Sequence, residues 1–218
     1  MRVLILANGE PPTPEWAQQI AAEHDLLLAT DGAVHLAVGL GLTPDLVCGD
    51  FDSINMAVAL VEFPQARFLP TPDQEQADLE KALLVAQEQG ATALTILGAT
   101  GYRLDHTLAA FAVLLRHHAE LPITLRTEDT SVIALSGTDD APGTHTLATE
   151  PDDTISLLSF DGKAHITLTG VRWPLLDETL EFATRGVSNR AAAKQVTVRV
   201  RGGAILVCHL KHLKNHDS

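Results

Sequence analysis

The chain has 218 residues, 45% hydrophobic and 20% charged, with a formal net charge of −13. That composition belongs to a folded protein and sets aside collagen-like, low-complexity and disordered classes. The acidic balance argues against a nucleic-acid partner, whose phosphates need a basic face, and no uncharged apolar run reaches the ~20 residues of a membrane span.

The N-terminal MRVLILANGEPP has one basic residue and a short apolar run without a small-residue cleavage site. It reads as a buried first strand over Arg2–Ala7, not as a signal peptide. Glu15–His24 reads as a helix, Leu26–Thr30 as a strand, Gly32–Leu40 as a helix and Asp45–Cys48 as a third strand. Gln74–Gln89 sets Leu79, Ala82, Leu83 and Ala86 at helical spacing. Thr92–Leu97 is a strand, Asp105–Ala119 a helix with Leu108, Phe111, Ala112 and Leu115 on one face, and Ile123–Arg126 a strand. This alternation predicts an α/β domain over residues 1–128, with an open, mainly parallel sheet and helices on both faces.

After about Thr127 the helical period disappears. Short strands recur at Ser131–Leu135, Thr154–Phe160, Ala164–Thr169, Gln195–Arg201 and Ala204–Leu210. They predict a small antiparallel β-sandwich over residues 129–218. Asp161-Gly162 and Gly202-Gly203 sit where tight hairpins need positive φ. Cys48 and Cys208 lie far apart in apolar runs, which is no disulfide framework and points to a reducing, cytoplasmic setting.

The acidic charge is uneven: residues 1–128 carry 17 acids and 6 bases, residues 129–218 carry 11 and 9. An acidic half that handles a polyanion needs a divalent cation between the two. In an open parallel sheet, ligands bind beyond the carboxyl ends of the strands. There the sequence repeatedly places unusual residues: Asn8-Gly9, Asp31-Gly32, Gly49-Asp50-Phe51-Asp52-Ser53 and Gly98-Ala99-Thr100-Gly101. Asp50 and Asp52, two apart, share one side of an extended chain, and hard oxygens at that spacing suit Mg²⁺. Asp31 arrives at the same sheet edge. As a bare loop, the same segment could equally cap the next helix through Asp52 and Ser53.

Asp73 fits a helix N-cap, Asp78 lies beside the apolar stripe, and Lys81 is either its surface ion-pair partner or a phosphate contact. The turn Gly98–Gly101 joins a strand to a helix and can cradle phosphate oxygens on backbone N–H groups. Arg103 adds a planar fork suited to phosphate. Asp105 reads equally as that helix's N-cap and His106 as a satisfied helix histidine; the other nine histidines show no ligand spacing. Trp173-Pro174 follows a predicted strand in a chain with only 4% aromatics.

Together these segments resemble the thiamine pyrophosphokinase family over nearly the whole chain. The resemblance is carried by Asp31-Gly32-Ala33, Pro44-Asp45, Gly49 through Ser53, Thr71-Pro72-Asp73-Gln74 with Asp78, and Gly98 through His106. In the second half it continues in Trp173-Pro174-Leu175, Glu178-Thr179-Leu180 and Arg185-Gly186-Val187-Ser188-Asn189. The resemblance implies transfer of a pyrophosphoryl group from ATP to the hydroxyl of thiamine, releasing AMP. It further implies a homodimer with active sites at the interface. By the same resemblance Asp50, Asp52 and Asp78 are the catalytic acids that bind Mg²⁺. Asp31, Gln74, Gly98, Thr100, Gly101, Arg103, Asp105 and His106 line the nucleotide site. Trp173, by stacking, Ser188 and Asn189 hold thiamine. The family's usual Thr before the helix aspartate is here Ala77. Two other classes fit parts of the sequence: an aspartate-nucleophile phosphatase, from the strand leading into D-x-D, and a non-catalytic nucleotide or thiamine sensor.

Overall fold

The computed structural model describes residues 1–52, 54–72, 75–182 and 184–212. The chain divides into two compact units, one of residues 1–113 and 120–128, the other of residues 114–119 and 129 onward.

In the first unit, strands β1 (Arg2–Leu6), β2 (Leu26–Thr30), β3 (Leu46–Gly49), β4 (Arg67–Pro70), β5 (Ala93–Leu97) and β6 (Ile123–Arg126) pair in parallel in the order β4-β3-β2-β1-β5-β6. The helices are α1 (Pro14–Ala21), α2 (Val34–Leu40), α3 (Met56–Glu62), α4 (Asp78–Glu88) and α5 (Leu104–His117), the last of which passes into the second unit from Leu114 on. Val3 through Leu6 are fully buried, as a strand covered on both faces requires. The α/β expectation holds.

Two elements of this unit went unpredicted, α3 and β4, each with a local cause, as did β8 (Gly143–Ala148), β11 (Leu175–Thr179) and β12 (Asn189–Arg190) in the second unit. Asn55 caps α3 by accepting hydrogen bonds from the N–H groups of Ala57 and Val58. Most of that helix's apolar residues nevertheless face outward (Val58, Leu60 and Val61 are exposed), so no amphipathic stripe announces it. β4 is four residues long, too short for an alternation. α4 begins four residues later than its periodicity suggested, at Asp78 with Ala77 as N-cap. The proposed Asp73 cap, like Gln74 and Ser53, lies outside the described residues.

In the second unit, β7 (Thr130–Gly137), β9 (Thr154–Ser159), β12 (Asn189–Arg190) and β14 (Gly203–Leu210) form one antiparallel sheet, in the order β12-β9-β14-β7. A second antiparallel sheet contains β8 (Gly143–Ala148), β10 (His165–Thr169), β11 (Leu175–Thr179) and β13 (Gln195–Arg201), in the order β11-β10-β13-β8. Ile155, Leu157, Ile205 and Val207 from the first sheet share a core with Ile166, Leu168, Val196, Val198 and Val200 from the second. The sandwich expectation holds, but the two glycine turns do different work from that expected. Gly162 and Gly202 do take positive φ, 66° and 74°. They lead from β9 to β10 and from β13 to β14, strands in opposite sheets, so they carry the chain across the sandwich without closing a hairpin.

Candidate functional site

The carboxyl ends of β1, β2, β3 and β5 converge on one edge of the first unit. Asp31 follows β2 immediately and is 2% exposed. Its carboxylate accepts hydrogen bonds from the backbone N–H of Gly32 at 2.7 Å and of Phe51 at 2.9 Å. Those bonds tie the end of β2 to the loop after β3. Gly49 makes the approach possible, since a Cβ there would lie 2.3 Å from the Asp31 Cγ.

β3 stops at Gly49, and Phe51 takes a left-handed φ of 64°. Asp50 and Asp52 are thus brought together by a turn, not by the alternation of an extended strand. The Asp52 N–H donates to Asp50 Oδ1 at 3.2 Å, and the Phe51 ring is held edge-on against Phe68, 6.0 Å away. Carboxylate oxygens of Asp31, Asp50 and Asp52 all lie within 4.8 Å of one another.

Three like charges so close repel unless a cation or protons intervene. Burial pushes the Asp31 carboxyl above its ordinary range, opposed by its two backbone hydrogen bonds and reinforced by the charges of Asp78 and Asp50. A cluster of hard oxygens with one member held buried and unfavourably charged fits a small divalent cation. Asp31 thus stands with the acidic cluster, where the residue-level reading brought it, and not only with the nucleotide side that the resemblance implied. Asp78 is not among these three, although its charge reaches Asp31.

Asp78 opens α4, half exposed, and accepts an ion-pair hydrogen bond from Lys81 at 3.3 Å. Lys81 is only 5% exposed, so the pair is not the surface contact its sequence position suggested. The charges of Asp31 and Asp78 also act on the buried Cys48 thiol, which burial above all pushes up to about 12. That keeps Cys48 a neutral, inert packing group.

Ala77, at the N-cap of α4, has no side-chain oxygen, and no side-chain cap bond forms. Ala77→Thr is expected to supply that bond and to stabilise the protein by about 1 kcal/mol, or about 3 °C in Tm for a chain of this size. A calorimetric scan showing no gain would mean that the backbone there cannot seat the hydroxyl.

Beside the carboxylates lies a cavity of about 400 Å³. Its walls include Asn8 and Gly9 after β1, Thr30 and Gly32 on either side of Asp31, Asp78 on α4, and Gly98, Gly101, Arg103 and His106. Gly98 and Gly101 have positive φ, 66° and 77°. The turn is locked to the end of β1: Gly9 N–H donates to Gly98 O at 2.5 Å and Glu10 N–H to Thr100 O at 2.8 Å. A Cβ on Gly9 would fall 2.4 Å from Gly98 O, so the two loops can only pack through glycine. Thr100 contributes this carbonyl; the cavity wall itself passes through its neighbours.

Arg103 points its fork at Asp105, with Nε–Oδ1 at 3.1 Å and Nη2–Oδ2 at 2.6 Å. That pairing draws the Asp105 carboxyl down to about 2. α5 starts at Leu104, so Asp105 lies inside its first turn and is the partner of Arg103, not the helix N-cap. His35 also lines the cavity, one of the histidines whose spacing gives no ligand signal; only its place behind Asp31-Gly32 could have signalled it.

The thiamine candidates lie in the second unit. The Trp173 side chain is exposed, at 60% for the residue. Ser188 is exposed and takes a left-handed φ of 63°, its N–H donating to Ser156 Oγ at 3.0 Å. Asn189 is buried, and its carboxamide meets the main chain of Trp173. Gln74, which the resemblance assigns to the nucleotide site, lies outside the described residues.

Two family models match the chain: "Thiamin pyrophosphokinase, catalytic domain" over residues 17–125 and "Thiamin pyrophosphokinase, vitamin B1 binding domain" over residues 144–205. The sequence is 25% identical over 223 residues to thiamin pyrophosphokinase 1 of Caenorhabditis elegans, covering 96% of this chain and 90% of that protein. It is 26% identical over 193 residues to thiamine pyrophosphokinase of Bacillus subtilis, covering 82% and 88%. The fold superposes on the crystal structure of the Bacillus subtilis thiamine pyrophosphokinase with a TM-score of 0.83 at 23% identity, over 98% of this chain and 100% of that one. It superposes on thiamin pyrophosphokinase from Candida albicans with a TM-score of 0.81 at 15% identity, over 96% and 89%.

Proposed function

From the chain's membership of the thiamin pyrophosphokinase family, we propose how its own residues carry out transfer of the pyrophosphoryl group of ATP to the thiamine hydroxyl. The carboxylate cluster of Asp31, Asp50 and Asp52 carries this reading. A phosphate-handling site on a chain of net charge −13 needs a cation at its centre, and these residues would hold Mg²⁺. When bound, that ion neutralises phosphate charge and offsets the mutual repulsion of the carboxylates.

Attack on a phosphorus atom asks mainly for positioning and charge balance. The Gly98–Gly101 turn and the first turn of α5 would present backbone N–H groups to the phosphates. Arg103 would exchange its Asp105 partner for a phosphate oxygen, which its exposed fork allows. Asp78, half exposed and steadied by Lys81, would accept a hydrogen bond from the thiamine hydroxyl and orient it. Thiamine is cationic, so an acidic cleft attracts it, and the exposed indole of Trp173 offers a face for cation–π contact.

The proposal extends to a homodimer in which each active site draws on both subunits, as the resemblance implies, and to a cytoplasmic setting, supported by the two unpaired thiols Cys48 and Cys208. Among the described residues no helix is long and apolar enough to cross a membrane.

Product analysis tests the reaction. With ATP labelled at the β-phosphorus, Mg²⁺ and thiamine, the label should appear in thiamine diphosphate with unlabelled AMP released one for one. Labelled ADP beside thiamine monophosphate would contradict pyrophosphoryl transfer.

A further inference from the structure

Trp173 is held by an interrupted ladder. Val171 bridges Ala191 in antiparallel fashion. The flanking rungs are made by Ala192 N–H to Gly170 O and Arg172 N–H to Arg190 O, each 2.8 Å. In a regular antiparallel ladder the next two rungs would run from residue 174 N–H to residue 188 O and from residue 190 N–H to residue 172 O. The first cannot form, because Pro174 has no N–H. Ser188, in the bend just before β12, has also turned away at φ 63°, its N–H committed to Ser156 Oγ.

The Asn189 side chain takes over where the ladder stops. Its Oδ1 accepts from the Trp173 N–H at 3.2 Å and from the Arg190 N–H at 2.9 Å, and its Nδ2 donates to the Trp173 O at 2.6 Å. Three of the four hydrogen bonds open to a carboxamide are therefore used on main chain, two of them on one residue. At 8% exposure, Asn189 has almost no surface left to offer a ligand. Trp173, by contrast, is 60% exposed, so packing does little to hold its ring and its main chain sets the direction of the side chain. Asn189 is itself anchored from the other side, its backbone pairing with Ile155 of β9.

We propose that Asn189 is a positioning residue for Trp173: it stands in for the missing backbone rungs and fixes the indole as a platform for the ring-bearing substrate, without touching that substrate. The thiamine part of this inference rests on the function proposed above; the clamp does not.

The test uses Trp16→Phe as background, which leaves Trp173 as the sole indole among the chain's two tryptophans. Time-resolved fluorescence anisotropy without ligand should show a faster, wider motion of Trp173 in Asn189→Ala than in the background. Asn189→Asp keeps the acceptor but loses the donor, so it should give an intermediate result. In steady-state kinetics Asn189→Ala should raise the thiamine KM about tenfold, the loss expected when a well-formed hydrogen bond to a positioning group goes. The KM for ATP should stay close to the parent's.

Trp173→Ala alone and Trp173→Ala with Asn189→Ala should share the same thiamine KM, because the amide acts through the ring. Unchanged anisotropy in both Asn189 variants would overturn the clamp. Losses that multiply in the double variant would overturn it in favour of direct contact with thiamine. Should Asn189→Ala not fold, Asn189→Asp carries the same measurements. If Trp173→Ala leaves the thiamine KM unchanged, the platform reading fails, while the anisotropy result still decides the clamp.

Discussion

Asp52→Asn is expected to fold as the parent does and to lower kcat by about three orders of magnitude. Asp52 is exposed and the replacement is isosteric, so little packing is at stake. What changes is one of three carboxylates whose oxygens gather within 4.8 Å. Losing a ligand there removes charge stabilisation that the transition state feels more than the ground state, on the order of 4 kcal/mol, and each 1.36 kcal/mol is about tenfold in rate. The defect should persist at saturating Mg²⁺. A folded variant with near-parental kcat would remove Asp52 from the catalytic centre.

The second large effect is expected from a residue with no functional group. Gly49→Ala places a methyl 2.3 Å from Asp31 Cγ and 2.5 Å from Oδ2. Asp31 is buried and pinned by the Gly32 and Phe51 N–H groups, so it cannot step aside without breaking those bonds. Overpacking of this kind costs about 1–3 kcal/mol of stability, which thermal unfolding would register. Activity should suffer more, by about two orders of magnitude, because a displacement near 1 Å at a reacting centre is worth that much. Parental activity in Gly49→Ala would mean that Asp31 need not hold its observed position.

How much of this was legible in the sequence follows from what each signal depends on. The α/β half and the sandwich were readable because buried parallel strands are continuous apolar runs, such as Val3–Leu6, and sandwich strands alternate around turns. α3 was not, because its Val58, Leu60 and Val61 face outward and give no stripe. The start of α4 was misplaced because a helix begins where its cap and backbone allow, and Ala77 gives no cap signal. The two glycine turns had the right residues for hairpins, yet a turn's residues specify its φ and not which sheet the next strand joins.

In the site, composition and spacing located the sheet edge and its acids, since those come from chain order. They could not show that Asp50 and Asp52 meet through a left-handed Phe51, or that Lys81 is buried beneath Asp78. Nor could they separate a ligand contact from its support. Ser188 and Asn189 are adjacent in sequence, but one is exposed and the other spends its amide on the Trp173 main chain. Such differences arise from burial, which depends on residues far away in the chain.

The central claim, that Asp31, Asp50 and Asp52 form the cation site of a phosphate-transferring centre, is tested most directly by binding of a hard divalent ion. Mn²⁺, visible by electron paramagnetic resonance, can stand in for Mg²⁺ in titrations of the parent, Asp31→Asn and Asp52→Asn proteins. The account predicts a saturable site in the parent that Mg²⁺ displaces and that is lost or greatly weakened in both variants. Equal Mn²⁺ occupancy in all three proteins would contradict it.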